Sequence, residues 1–271
     1  MQVRIIEPIG FCNGVRKTID LIYRQEKDSS LLLGAPIHNE EFLKTLEQDG
    51  YQVIKENEIP LYQNKTIITS AHGATLDTIS LIKEKNKHCD TTCEVIKNIY
   101  KIIEKNKKKK ILLLGDKNHQ EVKGILSRYP NVIAIGPYEK KPDFKNPDDY
   151  LLIAQSTANQ NFFDEMSLEL KQNYHIKSID TICPFVKKRF ANAMSLDANL
   201  IIVVGDKSSS NSNQLFDLIK NCYSDKNVIF VSNLEELKTY DLSKYDYANI
   251  LSGTSTPLFV INEICEYLRY V

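Results

Sequence analysis

One pattern comes round three times at nearly constant spacing, and it limits this chain more than any other feature. Cys12, Cys93 and Cys183 each precede a stretch with helical apolar spacing, followed by an apolar run that closes on Gly34, Gly115 or Gly205. Cys12 and His38 stand 26 positions apart, Cys93 and His119 also 26, and Cys183 and Ser210 27. His38 and His119 both fall 4 residues after their glycine. Random apolar runs would not hold that register, so the chain reads as three copies of one supersecondary unit. The next interval, from these tips to His72, Ser156 and Ser255, stretches from 34 through 37 to 45 residues, a drift that loops absorb.

Short apolar runs at 3–6, 31–33, 51–55, 65–69, 111–114, 131–135, 151–153, 200–204, 227–231 and 249–251 read as strands, with helices between them. Such alternation predicts parallel sheets, whose ligand sites lie beyond the carboxyl ends of the strands, where every polar tip of the repeat falls. The expected fold is α/β: three similar small α/β units in a pseudo-threefold trefoil, their strand ends converging. The first unit spans 1–92, the second 93–182 and the third 183–256. A carboxyl-terminal helix over 257–271 completes the first unit by packing beside the amino-terminal strand.

The 271 residues, 42% of them hydrophobic, suffice for more than one domain core. Thirty-five basic residues balance 35 acidic ones, so no global field favours nucleic acid or a membrane surface. The KNKKKK tract at 105–110 reads as a solvated helix end, suited to the helix dipole. The amino terminus lacks a signal-peptide pattern, and no apolar run approaches the ~20 residues of a membrane span, so a soluble cytoplasmic protein is expected. In that reducing compartment six cysteines point to metal binding or catalysis rather than disulfides.

Cys12, Cys93 and Cys183 each sit just before a helix, where the dipole favours thiolate. Soft sulfur ligands suit zinc, copper(I) or an iron–sulfur cluster, and a closed zinc site wants a fourth protein ligand. The repeat supplies three equivalent ligands, and a cluster held by three cysteines keeps one iron open to substrate. Cys89, Cys222 and Cys265 have no counterpart in the repeat and read as packing residues. Around the cysteines, His38, His119 and the Ser209-Ser210-Asn211 run form one polar ring, and His72, Ser156 and Ser255 another. Imidazoles, hydroxyls, an amide and helix amino termini suit a phosphate or diphosphate. Glu121, two residues past His119, is the candidate proton donor.

The fragments GFCNGV, PIHN, SAHG, DTTC, HQEV, DTIC, GDKSSSNSN and SGTSTP, in this order from Gly10 to Pro257, resemble the IspH (LytB) family. The resemblance implies a trefoil around a [4Fe-4S] cluster, one per chain, with Cys12, Cys93 and Cys183 as ligands. It also implies the last step of the methylerythritol phosphate route: reductive dehydroxylation of (E)-4-hydroxy-3-methylbut-2-enyl diphosphate to isopentenyl and dimethylallyl diphosphates. Electrons would come from a carrier such as ferredoxin or flavodoxin. Glu121 would deliver the proton; His38, His72, His119, Ser209, Ser210, Asn211 and Ser255 would bind the diphosphate; Ser156 stands where the family usually has a threonine near the substrate hydroxyl. PFVKKRF after Cys183 departs from the family's usual segment. Two other readings compete: a non-redox iron–sulfur hydro-lyase, which would work without reductant, and a cluster-based sensor or electron carrier, which would need Cys89 or another residue as fourth ligand.

Overall fold

In the computed structural model, residues 1–136, 139, 141 and 150–270 are described. Val271, the end of the expected carboxyl-terminal helix, and residues 137, 138, 140 and 142–149 of the expected second unit lie outside the described residues.

The elements run β1 (Gln2–Ile5), α1 (Asn13–Tyr23), β2 (Ser30–Leu33), α2 (Glu40–Gln48), β3 (Gln52–Ile54), β4 (Thr66–Ile68), α3 (Leu76–Lys85) and β5 (Lys87–Cys89). The second turn of the pattern gives α4 (Glu94–Lys105), β6 (Lys110–Leu114), α5 (Gln120–Arg128), β7 (Val132–Ile135), β8 (Tyr150–Ala154), α6 (Gln160–Tyr174) and β9 (Lys177–Ser178). The third gives α7 (Pro184–Asn192), β10 (Leu200–Val204), α8 (Ser210–Cys222), β11 (Asn227–Val231), α9 (Leu234–Leu237), β12 (Tyr247–Ser252) and α10 (Leu258–Tyr270).

These strands form three parallel four-stranded sheets of one design: β3-β2-β4-β5, β7-β6-β8-β9 and β11-β10-β12-β1. The expected α/β fold of three similar units is thus present. The last strand of each sheet leads into one of the repeated cysteines: β5 into Cys93, β9 into Cys183 and β1 into Cys12. The repeat is therefore circular in sequence, and the chain begins in its fourth strand. As a result β1, inside the 1–92 segment, is an edge strand of the third sheet, and α10 packs on β1 there. The sequence hides this, because a strand's neighbours in the chain do not reveal its partner in the sheet.

Contacts divide the chain into two compact units. One comprises residues 1–16, 37–51 and 184–271 and holds the sheet of β1, β10, β11 and β12. Period-two alternation along β10 sends Leu200, Ile202 and Val204 to a layer with Ile261, Ile264 and Leu268 of α10. Ile201 and Val203 face Leu215 and Ile219 of α8 on the other side. The second unit comprises 17–36 and 52–183 and holds the other two sheets. In β6, Leu112 and Leu114 face Phe163, Met166 and Leu170 of α6, while Ile111 and Leu113 face Ile99, Ile103, Val122 and Ile125 of α4 and α5. β8 and β10 are buried along their whole length, which is why they read as continuous apolar runs rather than alternating ones.

Candidate functional site

The three cysteines share one local geometry. The amide of Cys12 donates to Thr254 O at 3.0 Å, that of Cys93 to Ala71 O at 2.9 Å, and that of Cys183 to Ser156 O at 2.8 Å. In every case the acceptor lies just past the strand that neighbours the cysteine's own (β12, β4 or β8), and a helix starts right after the cysteine. The thiols are thereby held at helix amino termini. Val15 N–H already points at Cys12 Sγ, 3.5 Å away. None of the six cysteines is in a disulfide among the described residues.

The duplicated Asp-Thr lead is turn chemistry. Asp90 Oδ1 accepts the Thr92 amide at 2.9 Å and Asp180 Oδ1 the Ile182 amide at 3.0 Å. Thr91 and Thr181 donate their hydroxyls to Thr69 O and Ala154 O, both at 2.5 Å, tying each lead to the neighbouring strand end.

In the unit of residues 17–36 and 52–183, Glu121 is fully buried in the first turn of α5. Its Oε1 accepts the Ser156 amide at 2.7 Å and its Oε2 the Ser156 hydroxyl at 2.5 Å. Burial raises the Glu121 pKa to about 7, with the two Ser156 bonds pulling the other way. A carboxyl in that position exists in both protonation states at neutral pH, which suits a proton donor. His119 caps α5, its Nδ1 accepting the Glu121 amide at 3.2 Å, and meets the His72 ring edge to face with centroids 5.4 Å apart. Ser70 supports both sides, receiving the His72 amide and donating to Gln120 Oε1, each at 3.2 Å.

In the other unit, Ser209 caps α8, which begins Ser210-Asn211. The Ser255 hydroxyl donates to His38 O at 2.9 Å and lies 3.4 Å from Ser209 Oγ. Asn211 is 3% exposed; its Oδ1 accepts the Thr254 amide at 2.9 Å, while its Nδ2 is a buried donor with no acceptor among the described residues. A buried donor of this kind, among capped helix ends and hydroxyls, is able to take an acceptor such as a phosphate oxygen. Burial lowers the His38 pKa, with Asp206 opposing. Burial would raise Asp206, but bonds from Ser208 and the Glu40 amide hold it below the usual carboxylate range.

Two positions move by one residue against the sequence alignment. Gly115-Asp116-Lys117-Asn118-His119 and Gly205-Asp206-Lys207-Ser208-Ser209 fold alike: each Asp Oδ1 accepts the amide two residues on at 2.8 Å, and each Asp O accepts the cap amide at 3.0 Å. Ser209, rather than Ser210, is therefore the counterpart of His119. Likewise the carbonyl that receives the cysteine amide belongs to Ala71, Ser156 and Thr254, so Ser156 precedes the place occupied by His72 and Ser255, and Thr157 fills it. Arg189, from the unfamiliar PFVKKRF segment, was not singled out by sequence; it is 4% exposed and its Nη1 donates to Ser252 O at 2.5 Å and Gly253 O at 2.7 Å. An arginine on a helix of mixed character carries no sequence signal of burial.

No helix among the described residues is long and apolar enough to cross a membrane. The family description LytB protein matches residues 3–269. Over 99% of its length the chain is 31% identical to the 4-hydroxy-3-methylbut-2-enyl diphosphate reductase of Caldanaerobacter subterraneus subsp. tengcongensis, 97% of which it covers. A solved structure of (E)-4-hydroxy-3-methyl-but-2-enyl diphosphate reductase, the terminal enzyme of the non-mevalonate pathway, matches over 100% of both chains at 26% identity and a TM-score of 0.70. The E-1-hydroxy-2-methyl-but-2-enyl-4-diphosphate reductase of Plasmodium falciparum shares the fold, with a TM-score of 0.86 at 22% identity over 98% of this chain and 87% of that one.

Proposed function

Because the chain belongs to the LytB protein family, we propose that it is a 4-hydroxy-3-methylbut-2-enyl diphosphate reductase that removes the allylic hydroxyl of its substrate and yields isopentenyl and dimethylallyl diphosphates. The observation that carries this reading is the identical docking of Cys12, Cys93 and Cys183, each amide on the carbonyl past a strand end and each thiol at a helix start. That donor set fits a [4Fe-4S] cluster with three protein ligands. When bound, the cluster would relay the two electrons of C–O cleavage from an external carrier and offer an iron open to substrate.

The protein's own residues supply binding and protons. Asn211 Nδ2, the Ser255 and Ser209 hydroxyls and the amino terminus of α8 offer donors to diphosphate oxygens, and His72 and His119, whose rings pack against each other, are of the same expected set. Ser210 and His38 belong to the same polar set. Cleavage of the C–O bond takes two electrons and two protons: one proton leaves with the oxygen as water and one goes to the allylic carbon. Glu121, held near neutrality by burial, delivers a proton through the Ser156 hydroxyl, whose 2.5 Å contact with Oε2 can pass it in either direction. A small electron carrier of the ferredoxin or flavodoxin class supplies the electrons, in the cytoplasm.

The test is the iron content and absorption of the chain isolated without oxygen. The reading expects about four irons per chain and broad visible charge-transfer absorption. A colourless protein holding zinc and no iron after reconstitution would overturn it.

A further inference from the structure

At two of the three cysteine junctions the residue two before the cysteine is a threonine. Thr91 and Thr181 use their hydroxyls to hold the strand-end carbonyls of Thr69 and Ala154. At the first junction that place belongs to Gly10, which has no side chain to do this. A side chain there would be strained: its φ is +72°, and a Cβ would stand 2.7 Å from Leu258 Cδ2, which would have to shift. The equivalent carbonyl by sheet register is Ser252 O, because Ser252 pairs with Val204 as Ala154 pairs with Leu114. Arg189 Nη1 takes that carbonyl at 2.5 Å, together with Ser252 Oγ at 3.0 Å and Gly253 O at 2.7 Å, while Nη2 reaches Gly10 O.

One guanidinium therefore joins the loop that delivers Cys12 to the loop that delivers Ser255. Between them lies Thr254, whose carbonyl receives the Cys12 amide and whose amide is held by Asn211 Oδ1. The planar fork is what makes this possible, since several carbonyls diverging from one point need donors in fixed directions, which a lysine ammonium on a flexible stem does not provide. We propose that Arg189 is a positioning residue for the reaction, standing in for the missing junction threonine and setting the Cys12 thiol and the Ser255 hydroxyl with one group. The proposal rests on the reading that Cys12 ligates iron and Ser255 binds diphosphate.

The experiment compares Arg189→Met and Arg189→Lys with the unaltered chain in three measurements: thermal midpoint; KM and kcat of the anaerobically reconstituted enzyme; and the alkylation rate of Cys12 in iron-free protein, with Cys93 as internal reference. Arg189→Met should raise KM by about tenfold or more, the scale of a lost charge-assisted bond, and speed Cys12 alkylation relative to Cys93, with Arg189→Lys recovering part of both. A folded Arg189→Met protein with unchanged KM and an unchanged Cys12-to-Cys93 ratio overturns the proposal. Should the methionine variant not fold, the same two unchanged values in Arg189→Lys do so. If the unaltered chain neither holds iron nor turns over substrate, the functional reading has failed, and the alkylation ratio still decides whether Arg189 orders the Cys12 loop.

Discussion

Glu121 and Ser156 meet at both ends of one carboxyl group: the Ser156 amide donates to Oε1 at 2.7 Å and its hydroxyl to Oε2 at 2.5 Å. A fully buried acid in a helix's first turn is thus oriented by a single residue from the loop after β8. Removing the acid while keeping its shape should separate its chemistry from its packing. Glu121→Gln is expected to keep its iron and its affinity for diphosphate while turnover falls by roughly two orders of magnitude or more. Turnover within a few-fold of the unaltered enzyme would remove Glu121 from the reaction.

Burial of Glu121 also fixes the sign of a pH effect. Its folded pKa, raised to about 7, lies above the ordinary carboxyl value of 4.5. The folded state therefore holds a proton that the unfolded state has released between those values, and the stability it contributes is present below pH 4.5 and lost as pH rises through 7. Glutamine carries no such proton. The thermal midpoint of Glu121→Gln minus that of the unaltered iron-free chain should therefore increase from pH 4.5 to pH 8; a flat difference would show that the carboxyl titrates normally.

The cysteines divide by position. Single serine replacements of Cys12, Cys93 and Cys183, whose amides dock on Thr254, Ala71 and Ser156, should each abolish the visible spectrum of the reconstituted protein. Cys89→Ser, in edge strand β5, should leave it intact. Loss of the spectrum in Cys89→Ser would instead favour a four-ligand sensor or carrier.

Asn211 Nδ2 is a buried donor without an acceptor among the described residues, so on the proposed reading its removal should weaken anion binding more than it weakens the fold. Asn211→Ala is expected to lower affinity for inorganic diphosphate about tenfold or more by calorimetry, the scale of one hydrogen bond to a charged group. Equal affinity would place the diphosphate elsewhere. Because Asn211 Oδ1 also holds the Thr254 amide, Asn211→Asp keeps that acceptor while replacing the donor with a charged oxygen, and it should be at least as damaging.

What the sequence made legible follows from what repeats. Cys12, Cys93 and Cys183 could be aligned because each opens a helix after a strand, and a strand–helix junction leaves a periodicity change in the residues themselves. β10 and β11 coincide with the apolar runs at 200–204 and 227–231. β5 and β9 escaped, being two or three largely polar residues recognisable only once paired with β4 and β8. Glu121 was legible as a carboxylate in an unusual neighbourhood, but its grip on Ser156 was not, since the two are 35 positions apart and meet only through sheet order. Arg189 was invisible for a related reason: apart from Ser252 Oγ its acceptors, on Gly10, Ser252 and Gly253, are backbone carbonyls, and carbonyls carry no letter in a sequence.

The claim that the chain is a reductase is tested most directly by counting electrons. The anaerobically reconstituted protein is mixed with a reduced viologen dye and (E)-4-hydroxy-3-methylbut-2-enyl diphosphate, and dye oxidation is followed alongside products. The account predicts two electrons consumed per substrate converted, isopentenyl and dimethylallyl diphosphates as products, and no conversion when the dye is left out. Loss of the hydroxyl without reductant, or oxidation of the dye independent of substrate, would contradict it.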